Sequence, residues 1–268
     1  MEKKDLLKDT IKHIDIKSYD STQLIDAMRD MSFTSRDTAR AADILMKMVK
    51  EKECTNILTI AGSTSAAGCM QVYVDMVRNK MIDVVVATGA SIIDMDLFEA
   101  LGFKHYKGRQ DVPDMQLRDL YIDRIYDTFI DEEELQICDH TTYEIANALE
   151  PRPYSSREFI WEIGKWLTQH SVKKDSLIQT CYECGVPIFC PAFSDCSAGF
   201  GIGKHQWEHP EKHVSIDSVK DFIELTMIKM NAPTTGLFMI GGGTPKNFAQ
   251  DTVVCAEILG HEVPMHKY

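Results

Sequence analysis

Hydrophobic positions along this chain follow first a helical period and then an alternation of strands and helices. In residues 1–53, apolar side chains recur at helical spacing among charged ones, which predicts a helical N-terminal region. From residue 54 onwards, short β-branched runs alternate with stretches long enough for a helix. This alternation predicts βαβ units, and therefore an α/β domain over residues 54–268 in which helices flank a parallel sheet. The predicted strands are residues 57–60, 83–87, 186–190 and 237–240.

Capping and turn residues predict where the helices begin and end. Ser155 and Glu158 have the spacing of a capping box, and Gly185 is suited to a helix end. The other predicted helix starts are residue 65, residue 95, Asp175, Asp217 and Thr244, and the last helix is expected to end at Gly260. Residues 102–150 lack a regular pattern, so we expect a connection with a few short helices there. One more strand is expected near Tyr268.

Each of the four apolar runs ends in a cluster of small residues. The segments are ILTIAGSTSAAG, VVVATGA, VPIFCPAFSDCS and GLFMIGGGTPK, which start at residues 57, 84, 186 and 236. Small residues allow a flat, polar ligand to approach the backbone, and a parallel sheet places the carboxyl ends of its strands along one edge. A helix that starts beyond such an edge points its free N–H groups at phosphate. The pattern therefore predicts a nucleotide-binding edge.

These clusters contain specific candidate groups. Gly241, Gly242 and Gly243 can leave backbone amides facing an anion because glycine has no Cβ. The hydroxyls of the first cluster can bond to ribose or phosphate oxygens, and Asp195 can accept from ribose hydroxyls or pair with an ammonium group. The alternatives are a tight turn for the glycines, a packing turn for the first cluster and a turn-forming role for Asp195.

Charge and composition narrow the classes of partner. The chain has 29 basic and 41 acidic residues, and its formal net charge is -12. Because this charge repels phosphate backbones and anionic lipids, we expect neither nucleic acid nor a membrane as a partner. The acidity would also suit a cationic substrate such as a polyamine, but net charge mostly reports solubility. No apolar stretch approaches the roughly 20 residues that span a bilayer, and the first residues lack the apolar centre of a signal peptide. A cytoplasmic location is therefore expected.

Two polar motifs have ordinary explanations. Residues 205–209 match the letters H-x-x-E-H of a zinc-protease motif, but the nearby glycines and Pro210 favour a polar loop. Lys246 is the one lysine inside a small-residue cluster. A lysine in the first turn of a helix is usually solvated, so a nucleophilic role is not favoured.

The eight cysteines are expected to be thiols. Zinc sites use paired Cys-x-x-Cys knuckles, and only one such pair, Cys181 and Cys184, occurs here; Cys190 and Cys196 are six residues apart. Buried thiols are favoured for these four, and Cys69 and Cys255 are expected in the core. No metal is expected.

Several segments in one order carry a family resemblance. ILTIAGSTSAAG, RNKMIDVVVATGA, DLFEALGFKHYKG, DRIYDTFI, PRPYSSREFIWEIGKWL, VPIFCPAFSDCSAGFG and MIGGGTPKNFAQDT resemble the deoxyhypusine synthase family, and are most similar to its bacterial deoxyhypusine synthase-like branch. The resemblance covers about residues 55–268.

The resemblance implies NAD-dependent transfer of an aminobutyl group on a Rossmann-like parallel sheet, usually in a homotetramer with sites at subunit interfaces. In the family, NAD takes a hydride from spermidine, the resulting imine passes to an enzyme lysine, and the aminobutyl group goes to a lysine of a translation factor or to putrescine. With the glycine motif included, the cofactor-binding candidates are Gly62, Ser63, Thr64, Ser65, Ala66, Thr88, Gly89, Ala90, Asp195, Ser197, Gly241, Gly242 and Gly243.

The substrate-binding candidates also follow from the resemblance. Asp94, or its neighbour Asp96, falls near an acidic pair that serves ribose and polyamine in the family. Phe200 aligns where synthases carry an aspartate for the polyamine amine, and Asn247 aligns where they carry a histidine. A desolvated ammonium group that loses these partners loses about 1–3 kcal/mol at each place. We therefore expect a polyamine-like donor and leave its identity open.

The family's lysine nucleophile lies in an E-A-x-x-W-G-K segment, and no such segment occurs before Tyr268. Either the natural chain continues past Tyr268 with such a segment, or the protein cannot form the enzyme-imine intermediate by the family's route. We expect the given residues to keep much of the NAD pocket without that nucleophile, so no catalytic residue is assigned. Three functions stay open. They are an aminoalkyl transferase with an unassigned acceptor, a catalytically inactive paralogue that binds NAD or a partner and regulates an active homologue, and a homospermidine-synthase-like enzyme.

Overall fold

The computed structural model describes residues 2–268. The helices are α1 (Lys3–Leu6), α2 (Thr22–Met28), α3 (Phe33–Lys50), α4 (Met70–Arg78), α5 (Gly89–Ser91), α6 (Phe98–Ala100), α7 (Asp114–Asp119), α8 (Glu132–Ala148), α9 (Ser156–His170), α10 (Leu177–Cys184), α11 (Ser197–Glu208), α12 (Ser218–Asn231), α13 (Gly243–Gln250) and α14 (Thr252–Ile258). The strands are β1 (Cys54–Ile60), β2 (Val84–Ala87), β3 (Tyr106–Lys107), β4 (Ile122–Ile125), β5 (Thr128–Asp131), β6 (Pro153–Tyr154), β7 (Ile188–Phe189), β8 (Ser215–Ile216) and β9 (Thr234–Ile240). A 3-10 turn (Ile16–Ser18) and two π-helical turns (Ser65–Cys69 and Ile92–Leu97) lie between them.

The main sheet is parallel, with strand order β7-β2-β1-β9. Ile57 in β1 is in register with Val84 on one side and with Leu237 on the other. The predicted α/β fold, a parallel sheet flanked by helices, is therefore confirmed. Because every strand points the same way, the carboxyl ends of β1, β2, β7 and β9 share one edge of the sheet.

Both faces of this sheet are buried, which explains why its strands are continuous apolar runs. Leu58 and Val85 pack in a core with side chains of α4, α9 and α10. Ile57 and Val86 face the opposite way, towards Leu225 of α12 and side chains of α13. Adjacent residues of a strand point to opposite faces, so one strand contributes to both cores.

The prediction for residues 102–150 was wrong. This region forms an antiparallel sheet of order β3-β5-β4, followed by the 17-residue helix α8. Its strands are only two to four residues long, too short to show a two-residue period. Thr10 of the N-terminal region forms a bridge to Tyr106 at the edge of this sheet.

The prediction of a loop around residues 205–209 was also wrong. Helix α11 contains all three glycines of this segment and continues to Glu208. A Cβ on Gly201 would lie 2.1 Å from Thr142 Oγ1 of α8, and a Cβ on Gly199 would lie 2.2 Å from the Ser194 carbonyl oxygen. The glycines therefore allow α11 to approach its neighbours closely, and they do not break the helix.

Most predicted helix boundaries hold. Ser155 forms the predicted capping box with Glu158, and Gly185 ends α10 in the left-handed conformation with φ of 74°. Asp217 caps α12 through the N–H groups of residues 219 and 220.

Several boundaries differ from prediction. Strand β1 begins at Cys54 and not at residue 57, β7 is shorter than predicted, and the helical turns expected from residue 95 begin at Gly89. Helix α10 is capped by Ser176 and not by Asp175, and β9 begins three residues early, at Thr234. The last predicted helix is two helices, α13 and α14, and it begins at Gly243, one residue before Thr244. Beside β9, the Lys267 N–H donates to the Thr235 carbonyl at 2.9 Å and the Leu237 N–H donates to the Tyr268 carbonyl at 2.9 Å. These two bonds attach residues 267 and 268 to β9, near the place where one more strand was predicted, but residues 261–268 form no strand.

The N-terminal residues form the predicted helices, α1 to α3. In residues 2–268 no helix combines the length and the apolar character that crossing a membrane requires.

Candidate functional site

The four small-residue clusters meet at the carboxyl edge of the main sheet. The Thr88 N–H, just past β2, donates to the Ile60 carbonyl at the end of β1, at 3.0 Å. The Ala61 N–H in turn donates to the Ile240 carbonyl at the end of β9, at 2.9 Å. The residues that follow these strands are therefore neighbours, as the strand order requires. The sequence predicted this convergence.

Glycines keep the backbone at this edge open. Gly62, Gly241 and Gly243 have φ of +80°, +75° and +66°, values that other residues rarely adopt. A Cβ on Gly62, Gly242 or Gly243 would have no atom within 4 Å. The side of the backbone that a side chain would occupy is thus free for a flat ligand, and these residues fit a dinucleotide cradle.

Two of the three candidate hydroxyls in the first cluster already have protein partners. Ser65 is buried, and its hydroxyl donates to the Ser91 carbonyl at 2.9 Å. Thr64 Oγ1 lies 2.7 Å from the hydroxyl of Tyr73. Ser63 makes no side-chain hydrogen bond to another residue in the described part of the chain. Of the three, its hydroxyl is the one most available to a ligand.

Gly89 allows the end of β2 to pack against the start of α11. A Cβ at this position would lie 2.4 Å from both Cβ and Sγ of Cys196. Cys196 precedes the first residue of α11, Ser197, and follows Asp195. The close contact therefore places Asp195 and Ser197 beside the end of β2.

A group of acidic residues adjoins this contact. The Ser197 N–H donates to Asp94 Oδ1 at 2.8 Å. Burial raises the pKa of Asp94 to about 6, and the nearby carboxylates of Asp139 and Asp195 add to the effect. Burial also raises the pKa of Asp139, whose Oδ1 is buried without a partner in the described residues. Carboxylates from three separate elements thus lie near one another at the sheet edge and give it a negative charge.

Asp139 was missed by sequence reasoning. It lies in α8, within the region that showed no regular pattern, and no neighbouring motif marks it.

The substrate-binding prediction for Asp96 is corrected. Its carboxylate is fully buried and accepts from the Ser176 hydroxyl and from the N–H groups of Leu177 and Ile178, at 2.8 to 2.9 Å. These are the first backbone donors of α10, which a helix leaves unpaired. Asp96 therefore anchors α10 and has no free face for a substrate.

Phe200, Asn247 and Lys246 all lie close to the sheet edge in sequence and in space. Phe200 is in the first turn of α11 with 67% of its surface exposed, and Asn247 is exposed in α13. Lys246 lies in the first turn of α13 and is partly buried, whereas a solvated side chain was predicted. None of the three adds a negative charge, so the acidic character of the edge comes from the aspartates.

His205 is a structural residue. Its ring is buried, its Nδ1 donates to Asn147 Oδ1 at 2.6 Å, and its Nε2 accepts from the Val214 N–H at 3.0 Å. Burial lowers the pKa of His205, and the neighbouring His209 and His213 contribute. In residues 2–268 no group of three or more His, Cys, Asp or Glu side chains is arranged to hold a metal ion.

All eight cysteines are free thiols in the described chain. Cys181, Cys190 and Cys196 are buried as predicted, and burial raises the pKa of Cys196 to about 12. The prediction fails for Cys184, which is exposed, and Cys69 and Cys255 are only partly buried.

A large cavity lies away from the carboxyl edge. It has a volume of about 900 Å³ and lies between α9 and α12, next to Trp161, Pro187 and Glu224. A second cavity of about 430 Å³ adjoins the edge between α11 and β8, next to Ser194, Gln206 and Ile216. The site is therefore defined by strand ends and backbone geometry, and cavity size alone points elsewhere.

Comparison with known proteins assigns the family. The family model described as deoxyhypusine synthase matches residues 23–266. A deoxyhypusine synthase-like protein of Coxiella burnetii is 63% identical over 267 residues, covering 99% of this chain and 76% of the relative. The chain belongs to the deoxyhypusine synthase family.

Other relatives support the same family assignment. A deoxyhypusine synthase-like protein of Caulobacter vibrioides is 66% identical over 271 residues, covering 100% of this chain and 74% of the relative. "Probable deoxyhypusine synthase 2" of Methanosarcina mazei is 38% identical over 255 residues, covering 95% of this chain and 73% of the relative. The crystal structure of a candidate deoxyhypusine synthase from Entamoeba histolytica has the same fold, with a TM-score of 0.61 at 20% identity over 87% of this chain and 79% of that one. The resemblance stated from sequence, including its bacterial branch, is confirmed.

Proposed function

We propose that this chain binds NAD along the carboxyl edge of its main sheet and transfers an aminoalkyl group, of the aminobutyl type, from a polyamine-like donor. The observation that carries the proposal is the convergence of four small-residue clusters, with open backbone at Gly62, Gly242 and Gly243, in a member of the deoxyhypusine synthase family. The acceptor is unassigned.

The proposed cofactor residues lie at the ends of the strands. The backbone of the glycine turns and the Ser63 hydroxyl would contact the dinucleotide, and exposed Asp195 would accept from a ribose hydroxyl or face an ammonium group. Bound there, NAD would supply a hydride acceptor for oxidation of the donor amine. Thr88, Gly89, Ala90 and Ser197 would shape the same edge.

The donor amine is proposed to sit among Asp94, Asp139 and Asp195. A protonated amine is drawn to carboxylates, and the partial burial of Asp94 strengthens that attraction because less water screens it. Phe200 and Asn247 contribute no charge. The donor is therefore held through the aspartates alone, and we leave its length open.

Lysines other than Lys246 lie away from this edge or on the surface. Lys229 is fully buried, but it contacts Thr235 at the amino end of β9, the opposite end of the sheet. We propose that residues 2–268 hold cofactor and donor without forming a covalent lysine adduct. The test is incubation with NAD, spermidine and borohydride followed by mass spectrometry, and a lysine of this chain that carries an aminobutyl group would contradict it.

Calorimetric titration with NAD tests the cofactor site. Gly242→Ala places a methyl group in open space at the edge, so we expect about tenfold weaker NAD binding with little change in stability. Gly203→Ala is the matched control, because a Cβ there also meets no atom within 4 Å. Equal NAD affinity in both variants and the parent chain would contradict the proposed cradle.

Product analysis separates the remaining possibilities. A new amine formed from spermidine and putrescine would favour homospermidine-type chemistry, and activity that appears only on mixing with an active homologue would favour a regulatory role.

We also propose that the chain forms a homo-oligomer, which the family resemblance suggests is a tetramer, and that it works in the cytoplasm. Two large apolar side chains on one face of α11 support the oligomer, because they are exposed beside the site. They are Phe200, which is 67% exposed, and Trp207, which is 87% exposed and seven residues further along the helix. Light scattering on the purified chain measures its mass.

A further inference from the structure

Ser91, which no sequence motif marks, joins the ends of β1 and β2. It is the last residue of α5 and is 1% exposed. Its hydroxyl donates to the Gly62 carbonyl, and it lies 3.2 Å from Thr88 Oγ1. Its own carbonyl accepts from the Ser65 hydroxyl at 2.9 Å. One buried serine thus makes two contacts with the segment after β1 and one with the residue after β2.

The bond to Gly62 sets the direction of one peptide group. In a trans peptide the C=O and the following N–H point in opposite directions. Because Ser91, which is buried, holds the Gly62 carbonyl, the Ser63 N–H points in the opposite direction, away from Ser91. That N–H has no backbone acceptor in residues 2–268. A free donor therefore faces the space where the strand ends meet.

Without Ser91 this orientation would lose its main support. Gly62 has no Cβ, and a Cβ there would have no atom within 4 Å, so neither sterics nor packing prevents the peptide from rotating. A rotated peptide would present its carbonyl oxygen, which repels an anion, in place of the N–H, which attracts one.

We propose that Ser91 is a positioning residue whose hydroxyl holds the Gly62–Ser63 peptide with its N–H towards the diphosphate of a bound dinucleotide. The inference rests on the proposed function, since it concerns the same edge of the sheet. It adds the group that orients the backbone and names the part of the ligand that the backbone recognises.

The test compares ligands with and without the diphosphate. We expect Ser91→Ala to weaken binding of NAD and of ADP-ribose by about 10- to 100-fold, the range for one hydrogen bond to a charged group. Binding of adenosine, which has no phosphate, is expected to change less than twofold. A purely structural role for Ser91 would weaken all three ligands alike, and that result would overturn the inference.

Two further variants complete the experiment. Ser91→Cys keeps nearly the same size but donates a weaker hydrogen bond, so we expect an intermediate loss of NAD affinity even if Ser91→Ala does not fold. Ser171→Ala is the matched control, since it removes a hydroxyl that joins α9 to α10 through Gln179 at 2.7 Å. It should leave NAD affinity unchanged.

The outcomes distinguish this inference from the proposed function. If the parent chain binds neither NAD nor ADP-ribose, both are overturned. If the parent chain binds them and the Ser91 variants bind equally well, the inference alone fails and the proposed cofactor site stands.

Discussion

The contact between Gly89 and Cys196 couples the stability of the fold to the shape of the site. A Cβ on Gly89 would lie 2.4 Å from both Cβ and Sγ of Cys196, well inside van der Waals contact. The φ of Gly89 is not in the left-handed region, so Ala adds no backbone strain there. Gly89→Ala therefore tests packing alone. We expect it to push the start of α11 away from the end of β2.

Gly89→Ala is expected to lower the free energy of unfolding because it overpacks a buried contact. Such substitutions typically cost about 1–3 kcal/mol, which lowers the melting temperature by about 2–4 °C per kcal/mol in a chain of this size. Cys196→Gly removes both atoms that the methyl group introduced by Gly89→Ala would meet, and by itself costs about 2 kcal/mol through lost burial and added chain freedom. In the double variant the clash is absent. Its loss should be smaller than the sum of the two single losses by about 1–2 kcal/mol.

Urea unfolding of the parent, both single variants and the double variant measures this coupling. NAD titration of the same four proteins tests the link to the site. Gly89→Ala is expected to weaken NAD binding, and the double variant is expected to recover part of it. Additive losses in stability, or a Gly89→Ala chain as stable as the parent, would refute the reasoning.

Three other predictions concern single residues. Lys229 is buried with one hydroxyl partner at 2.8 Å, and burial lowers its pKa from 10.5, so the stability of the protein should rise with pH as the folded-state amine loses its proton. Lys229→Met should remove this pH dependence and raise the free energy of unfolding at pH 7 by about 1 kcal/mol. A variant that is less stable than the parent in urea unfolding would contradict this. Because the pKa of Asp94 is raised to about 6, affinity for spermidine should increase as the pH rises through 6 and Asp94 ionises. Calorimetric titration from pH 5 to 8 measures this, and Asp94→Asn should lose the increase. A variant that keeps the increase would show that another group is responsible. Phe159 is fully buried against Phe193, with ring centroids 5.7 Å apart, so Phe159→Ala should cost about 3–5 kcal/mol in thermal unfolding. Ile258→Ala, at an 81% exposed position, should change the free energy of unfolding by less than about 0.5 kcal/mol, and comparable losses in the two variants would contradict the placement of the core.

The main sheet and its edge were predictable because their signals are local. Strands buried on both faces read as apolar runs, and small residues follow each run, so the meeting of the clusters at one edge required only that the strands be parallel. The order of the strands was not predicted. Ser155, Asp217 and Gly185 marked helix ends correctly because each acts on the backbone within a few residues.

Other features depend on contacts that are distant in sequence. The glycines of α11 look like helix breakers until Thr142 of α8 is placed 2.1 Å from a Cβ at Gly201. Asp96 resembles a site residue beside Asp94 until its carboxylate is found beneath α10, 81 residues away. Ser91 bonds to a carbonyl 29 residues away in sequence. No local pattern reports such pairings, so the structure was needed to find them.

The central claim is that the carboxyl edge of the main sheet is a dinucleotide cradle. Amide resonances of the isotope-labelled chain, followed during titration with NAD, test it most directly. The account predicts shifts at residues 62–66, 88–91, 195–197 and 241–243 that saturate together. Shifts confined to the cavity beside Trp161 and Pro187, or no saturable shifts, would contradict it.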